Sequence, residues 1–170
     1  VALALVLAAT PVSAQWEFTK AAEVAAAQSG VFPHLDSAGR RSLAVGDKAV
    51  AVVWEDNRSG SPQVYVATRS GDGGFSKPRR LSTGEEAFEP AVAAIGGDRF
   101  IVAWEQDGEV WACLAGAGGS AAPLRLSDGP ARQATVAADG SRRVFAAWSA
   151  QRGPHRGIVL ARVKTDGRNI

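Results

Sequence analysis

Two segments decide the fold of this chain, and they are close copies of each other. They read SGDGGFSKPRRLS at Ser70–Ser82 and AGAGGSAAPLRLS at Ala115–Ser127. They align without a gap at a spacing of 45 residues, and seven of the thirteen positions are identical. A repeat of this length that is rich in glycine and β-branched residues predicts a repeated β-sheet unit, because a helical solenoid would show helical periodicity instead.

A second repeated series precedes these segments. Its members are apolar stretches that contain a tryptophan near their end, VAVVWE, FIVAWE and VFAAWS, with Trp54, Trp104 and Trp148 at matching positions. Gly, Asp and Pro residues separate the apolar stretches, so each unit is predicted to contain four short strands. In the middle unit the strands are expected at about 90–95, 99–105, 109–115 and 122–127. Four strands in about 45 residues is the size of one propeller blade.

The predicted fold is therefore all-β, with blades of four antiparallel strands. About three blades are expected, at 37–82, 88–127 and 132–170, after a lead-in at 15–36 that holds one predicted helix, Thr19–Ala27. Closed propellers have at least four blades, so the ring is expected to be incomplete and the chain to be the N-terminal part of a longer propeller. A partial ring that assembles with itself is the alternative.

The first fourteen residues differ from the rest. Val1–Ala9 is an unbroken apolar run, and Thr10-Pro11-Val12-Ser13-Ala14 follows it. This order is typical of a truncated secretory signal peptide at 1–14, and a buried first strand is the alternative. The run is too short to cross a bilayer, so no membrane span is expected after cleavage. The protein is therefore predicted to be secreted or periplasmic.

Composition narrows the function classes. The formal net charge is +2, from 19 basic and 17 acidic residues, and no run of Lys or Arg exceeds a pair. This charge pattern does not suggest a nucleic-acid partner. Cys113 is the single cysteine, so an intrachain disulfide is impossible, and a buried strand position is expected for it. The sequence predicts no cofactor and no metal site.

The turn in the first copy carries a family resemblance. Ser70-Gly71-Asp72-Gly73-Gly74-Phe75 resembles the Asp-box of the bacterial neuraminidase repeats found in sialidases. Ser70, Asp72 and Gly74 are predicted to form a structural turn. The Asp carboxylate is expected to accept backbone N–H bonds, the glycines to take positive φ, and Phe75 to pack under the hairpin. A calcium loop is the alternative, but it needs further oxygen ligands that are not near in sequence.

The resemblance also implies where sialidase residues should lie. Arg58 falls at the place of one arginine of the family's carboxylate clamp, a role that suits a bidentate guanidinium. The first clamp arginine is absent, because Phe32 runs directly into Pro33, and Arg40 or Arg41 fits only with a shifted register. The expected acid is also missing from residues 59–63. The other catalytic groups of the family are expected downstream, so no catalytic residue is assigned in this segment.

The predicted ligand-binding residues are Asp56, Asn57 and Arg58, and a solvated strand-end turn with a local Asp–Arg pair is the alternative. The three tryptophans are predicted to be core residues, with sugar-stacking platforms as the alternative. The predicted function is a non-catalytic module that binds a glycan or an extracellular protein through loops 55–63, 105–109 and 149–157. An exo-sialidase with downstream catalytic residues is the second hypothesis, and a structural scaffold in an envelope assembly is the third.

Overall fold

The computed structural model describes residues 22–24, 28–33, 35, 41–139, 143–165 and 170. These residues form β-strands and no helix. In chain order the strands are β1 Leu43–Val45, β2 Ala49–Asp56, β3 Gln63–Ser70, β4 Arg79–Arg80, β5 Ala87–Gly96, β6 Arg99–Gln106, β7 Glu109–Gly116, β8 Gly119–Ser120, β9 Leu124–Arg125, β10 Ala131–Ala138, β11 Val144–Arg152 and β12 His155–Val163.

The strands form three antiparallel sheets that follow one another along the chain. The first sheet has the order β1-β2-β3-β4, and the third has the order β10-β11-β12. The second sheet has the order β5-β6-β7-β8, and β9 also pairs with β7. The predicted all-β class is confirmed. The sheets formed by the described residues do not close into a barrel or a ring, so the blade assignment stays a prediction.

The two copied segments occupy matching places in the first two sheets. Tyr65 of β3 pairs with Arg80 of β4, and Trp111 of β7 pairs with Arg125 of β9. Trp111 follows Tyr65 by 46 residues, and Arg125 follows Arg80 by 45 residues. The sequence repeat is therefore a repeat of strand register as well.

Each copy also ends in the same contact. The Ser82 hydroxyl accepts a 3.0 Å hydrogen bond from the Val64 backbone N–H, and the Ser127 hydroxyl accepts one of the same length from Val110. Each serine therefore satisfies a backbone donor at the start of the third strand of its sheet.

The outer strand of the second sheet differs from the prediction. One strand was expected at 122–127, whereas two short strands, β8 and β9, lie along the edge of β7. Pro123 stands between them, and a proline cannot donate a ladder hydrogen bond. Pro123 therefore interrupts the outer strand locally, and β8 and β9 both pair with β7.

The middle sheet is buried on both faces. Along β6, Phe100, Val102 and Trp104 pack in a cluster with the first sheet, whereas Ile101 and Ala103 pack in a cluster with the third sheet. Successive side chains of a strand point to opposite faces, so a strand between two sheets needs apolar residues throughout. The prediction of a doubly covered second strand is confirmed.

The tryptophans and the cysteine are core residues, as predicted. Trp54, Trp104, Trp148 and Cys113 are all buried. Burial raises the pKa of the Cys113 thiol to about 12, against a smaller opposing effect of the Arg79 charge. A thiol with such a pKa is a poor nucleophile at neutral pH.

The N-terminal predictions are only partly covered by the structure. Residues 22–24 lie within the predicted helix Thr19–Ala27, and they are not helical. The rest of that helix, apart from these three residues, and the predicted signal segment 1–14 lie outside the described residues. Within the described part of the chain, no helix has the length and apolar character needed to cross a membrane.

Candidate functional site

A cleft of about 1000 Å³ lies beside the ends of β2 and β6, next to the start of β5. Six carboxylates and one guanidinium line it, together with a few neutral groups. The carboxylates belong to Glu55, Glu85, Glu86, Glu89, Glu105 and Asp107, and the guanidinium belongs to Arg132. A concave surface with this excess of negative charge attracts cations and repels anions.

At each of the two boundaries between sheets, one glutamate hydrogen-bonds to the next sheet. Glu55 follows Trp54 on β2, and its carboxylate accepts a 2.5 Å hydrogen bond from the backbone N–H of Glu89. Glu105 occupies the same place on β6 and accepts a 2.6 Å bond from the backbone N–H of Gln133. Both donors sit at irregularities of the strand register and have positive φ, 53° and 59°. The bulge turns each N–H away from its own ladder, so the preceding sheet can satisfy it.

A tight turn forms one wall of the cleft. Asp107 and Gly108 have positive φ, 52° and 78°, as a two-residue hairpin between β6 and β7 favours. The Asp107 carboxylate accepts hydrogen bonds from the backbone N–H groups of Glu85 and Glu86, at 3.2 and 3.4 Å. A Cβ atom at Gly84 would clash with the side chains of Asp107 and Gln106, so glycine allows the loop to approach this closely.

The buried side-chain amide of Gln63 hydrogen-bonds to the same loop. Gln63 donates to the backbone carbonyl of Glu85 at 2.8 Å and accepts a hydrogen bond from the Ser82 hydroxyl. The Ser61 hydroxyl donates to the same carbonyl at 2.6 Å. The backbone at Glu85 and Glu86 is therefore held by hydrogen bonds to its N–H groups and to the Glu85 carbonyl.

Asp56, a predicted ligand-binding residue, is buried and already has several partners. Its carboxylate accepts hydrogen bonds from the Trp54 indole N–H at 2.7 Å, the Arg58 backbone N–H at 3.0 Å and the Arg58 guanidinium. Burial by itself raises the pKa of Asp56, but the hydrogen bonds from Arg58 and Trp54 outweigh it and hold the pKa below the usual value. The local Asp–Arg pair of the alternative interpretation is present, although buried rather than solvated.

Arg58 is likewise committed within the chain. Its Nη2 atom lies 2.6 Å from the Asp56 carboxylate. Its guanidinium lies over the Tyr65 ring at 4.7 Å and over the Trp54 ring at 5.8 Å from the ring centroids. A clamp arginine must offer its donors to a substrate carboxylate, whereas here the Arg58 Nε–H donates to Asp56.

Asn57 binds the lead-in segment. Its side-chain oxygen accepts a 3.0 Å hydrogen bond from the Phe32 backbone N–H, and its side-chain amide donates to the Gly30 carbonyl at 3.1 Å. Arg41 is exposed just before β1, and Arg40 lies outside the described residues. The ligand-binding role of Asp56, Asn57 and Arg58 stays a prediction, and the structure gives each of the three a partner within the chain.

A turn follows β3 in the segment that resembles the Asp-box. Ser70 ends β3, and Gly71 and Asp72 form the turn that follows. Gly71 takes the left-handed conformation at φ 59°, whereas Gly74 does not. The left-handed conformation, which favours glycine, therefore occurs at Gly71, one residue before Asp72.

The hydrogen bonds that close this hairpin do not involve Asp72. Ser76 donates its backbone N–H to the Thr68 carbonyl at 2.8 Å, and its hydroxyl accepts from the Thr68 N–H at 3.1 Å. Among the described residues none donates a hydrogen bond to the Asp72 carboxylate, in contrast to the expectation. Phe75 packs against the cluster of Trp54 and Tyr65, as expected for the aromatic residue of the motif.

Sequence reasoning missed most of the cleft. Loops 55–63 and 105–109 contribute to it as predicted ligand-facing loops, but loop 149–157 does not. Glu85 and Glu86, between the units, were not singled out. The signal that could have found the site is the repeated Trp-Glu pair, because Glu55 and Glu105 follow matching tryptophans.

Comparison with known proteins adds no identity. No protein-family model matches the chain, and no curated protein matches its sequence. The resemblance to sialidase repeats therefore depends on the motifs alone.

Proposed function

We propose that the chain is part of a secreted or periplasmic, sialidase-like propeller that binds an extracellular glycan or protein without catalysing a reaction in this segment. The observation that carries the proposal is the carboxylate-lined cleft beside the ends of β2 and β6. Export depends on the predicted signal segment Val1–Ala14.

The repeated sheets support the propeller part of this proposal. The first two sheets share their strand register, and at each of the two sheet boundaries an equivalent glutamate, Glu55 or Glu105, accepts a hydrogen bond from the next sheet. Each sheet packs face to face on the next through an apolar cluster. Successive packing of small antiparallel sheets of this kind is typical of propeller blades.

The charge of the cleft specifies the ligand chemistry. Carboxylates hydrogen-bond to sugar hydroxyls and pair with ammonium or guanidinium groups, so the proposed ligand is a glycan that carries amino groups or a basic protein segment. An anionic sugar such as a sialate would be repelled by the six carboxylates. The cleft thus favours the binding hypothesis over sialidase chemistry.

The arrangement of Arg58 points the same way. Its guanidinium pairs with Asp56 and stacks on two aromatic rings, so binding a substrate carboxylate would require breaking a partly buried ion pair. Breaking such a pair leaves an uncompensated charge and is costly.

The test is binding of the chain to arrays of neutral, amino-bearing and sialylated glycans and of basic and acidic peptides, followed by calorimetry on the best ligand. The Glu85→Gln/Glu86→Gln variant removes two exposed cleft charges whose side chains make no described hydrogen bond. We expect about two- to tenfold weaker binding, the range for exposed ion pairs, and a decline of affinity with added salt.

The matched control is Asp128→Asn, which neutralises an exposed carboxylate outside the cleft and should leave affinity unchanged. Equal loss in both variants would show a general charge effect and contradict the cleft. Hydrolysis of a fluorogenic sialoside by this chain, with loss on Arg58→Ala, would contradict the non-catalytic proposal.

A further inference from the structure

Gln106 ends β6 and lines the acidic cleft, with only 2% of its surface exposed. Its Oε1 atom accepts hydrogen bonds from the Trp104 indole N–H at 3.2 Å and from the Thr83 backbone N–H at 3.0 Å. Both partners are donors, so the amide must direct its oxygen toward them and its nitrogen away from them. The orientation of the Gln106 amide is therefore fixed by its neighbours.

The Nε2 atom of Gln106 is a free donor. Among the described residues no group accepts a hydrogen bond from it, and it is not one of the fully buried unpaired atoms, which belong to Arg58, Arg79 and Trp111. It therefore reaches solvent, and the solvent space that Gln106 lines is the cleft. An almost buried amide that leaves a donor without a protein partner points to a ligand that accepts a hydrogen bond.

Asp107 offers a free acceptor beside this donor. Its Oδ1 atom accepts hydrogen bonds from the backbone N–H groups of Glu85 and Glu86, whereas its Oδ2 atom has no hydrogen-bond partner in the described part of the chain. A Cβ atom at Gly84 would clash both with Asp107 Oδ2 and with the Gln106 side chain, so these two side chains lie next to each other at the loop. Each of them thus uses one polar atom to hold the structure and leaves the other free.

The first sheet has no free pair at the equivalent place. Asp56 stands there instead of Gln106, and both of its oxygens accept hydrogen bonds from Arg58. Asn57 stands instead of Asp107, and its oxygen and its amide both bind the backbone of the lead-in. Of these two equivalent turns, only the one in the second sheet therefore presents a donor and an acceptor to the cleft.

We infer that the cleft binds a sugar residue of a glycan rather than a basic protein segment, and that Gln106 and Asp107 hold its hydroxyl groups; the inference rests on the proposed binding function of this cleft. A hydroxyl both accepts and donates a hydrogen bond, so neighbouring sugar hydroxyls can satisfy the Gln106 donor and the Asp107 acceptor together. Lysine and arginine side chains only donate, so they would leave the amide N–H of Gln106 unpaired beside a cation.

Phe88 supplies an apolar wall in the same cleft. It is half-buried, lines the cleft and belongs to none of the apolar clusters formed by the described residues. Ligand sites commonly combine aromatic walls with a few polar groups that fix orientation. The apolar C–H face of a sugar ring can lie against Phe88 while its hydroxyls reach Gln106 and Asp107, and the surrounding carboxylates can pair with amino groups of the glycan.

The test is calorimetry at slightly acidic pH with two probes that each carry four protonated amino groups, a glucosamine tetramer and N-acetyl-tetralysine amide. The Gln106→Glu variant keeps an oxygen for Trp104 and Thr83 but replaces the free donor with an acceptor. Added salt screens the charge that this substitution introduces. Loss of one hydrogen bond should weaken binding of the glucosamine tetramer about two- to tenfold, whereas binding of the tetralysine should not weaken.

The matched control is Gln28→Glu, which makes the same substitution on an exposed residue outside the cleft and should leave both affinities unchanged. Near-ultraviolet circular dichroism verifies the folding of each variant. Should Gln106→Glu fail to fold, Asp107→Asn keeps the oxygen that binds the loop but removes the free acceptor. It should weaken binding of the uncharged N-acetylglucosamine tetramer by a similar factor, and an unchanged affinity would contradict the inference.

The outcomes separate this inference from the proposed function. A parent chain that binds the tetralysine but not the glucosamine tetramer would overturn the choice of a glycan and leave the binding function of the cleft intact. A Gln106→Glu chain that binds the glucosamine tetramer as tightly as the parent chain would also overturn the inference. A parent chain that binds neither these probes nor any glycan or peptide of the arrays would refute the proposed function as well.

Discussion

The first and second sheets place a tryptophan at the same strand position but surround it differently. Trp54 donates its indole N–H to the Asp56 carboxylate, and Arg58 from the same turn covers the ring. Trp104 donates at 3.2 Å to the neutral amide oxygen of Gln106. Thus the acceptor two residues after the tryptophan is charged in one sheet and neutral in the other.

The neighbouring sheet explains the difference. Trp104 packs into the cluster between the first two sheets, and the Thr83 backbone N–H of the preceding loop donates at 3.0 Å to the same Gln106 oxygen. The first sheet has no preceding sheet among the described residues, and Arg58 takes over the covering role. Arg58 lies on aromatic rings, and its charge needs a partner of opposite charge there. The place that the Gln106 amide holds in the second sheet is therefore held by Asp56 in the first.

The largest difference between the two sites is expected on deleting the rings. Trp104→Ala should lower the free energy of unfolding by about 3–5 kcal/mol, the usual cost of removing a core tryptophan. Trp54→Ala should cost less, because the Arg58 side chain and the lead-in can move into the space, whereas two packed sheets cannot. Urea unfolding followed by far-ultraviolet circular dichroism measures both, and Trp104→Phe is the control that retains an aromatic ring. Equal losses at the two sites would contradict the comparison.

A smaller effect is expected on neutralising the charged site. Asp56→Asn should cost about 1.5–3 kcal/mol at neutral pH, the range for hydrogen bonds to a charged group. The folded pKa of Asp56 is lowered, so its contribution is present above the unfolded pKa of about 3.9 and is lost as the pH falls through the folded value. Parent and variant should therefore converge in stability in acid. Unfolding measured from pH 7 to pH 2 tests this, and a constant difference would rule out the ionised pair as its source.

The smallest effect is expected on moving the charge to the second sheet. Gln106→Glu preserves shape but buries a carboxylate beside Trp104 without an arginine, which should cost about 1–2 kcal/mol at neutral pH. Such a carboxyl has a raised pKa in the folded state, so lowering the pH should reduce the cost, opposite to the trend for Asp56. The same pH series measures it. A loss of stability that grows in acid would show that the second site stabilises the ionised carboxylate, as the first site does.

Much of the fold was predictable because it follows from local pattern. The repeat at Ser70–Ser82 and Ala115–Ser127 indicated matching sheets, and the apolar run ending at Trp104 indicated a doubly covered strand. The break at Pro123 was missed, although proline at that place explains it. Strand identity depends on side-chain alternation and turn residues, which neighbouring positions in sequence encode.

The cleft was much less predictable. Glu55 and Glu89 are 34 residues apart, and their contact depends on a bulge that places one N–H of β5 opposite the preceding sheet. Nothing local signals a positive φ at Glu89 or Gln133, since glutamate and glutamine rarely adopt it. The Glu85–Glu86 loop joins the site through contacts with residues about twenty positions away, because Asp107 accepts its N–H groups and Gln63 and Ser61 donate to its Glu85 carbonyl.

By itself the sequence determined the all-β class, the repeat, and the burial of the tryptophans and of Cys113, because each depends on hydrophobic spacing and on residues suited to turns. Only the tertiary structure decided that Asp56 and Arg58 satisfy each other and that six carboxylates share one cleft. Those outcomes depend on which sheet lies against which face. Such long-range placement results from packing the whole chain, and short sequence patterns do not encode it.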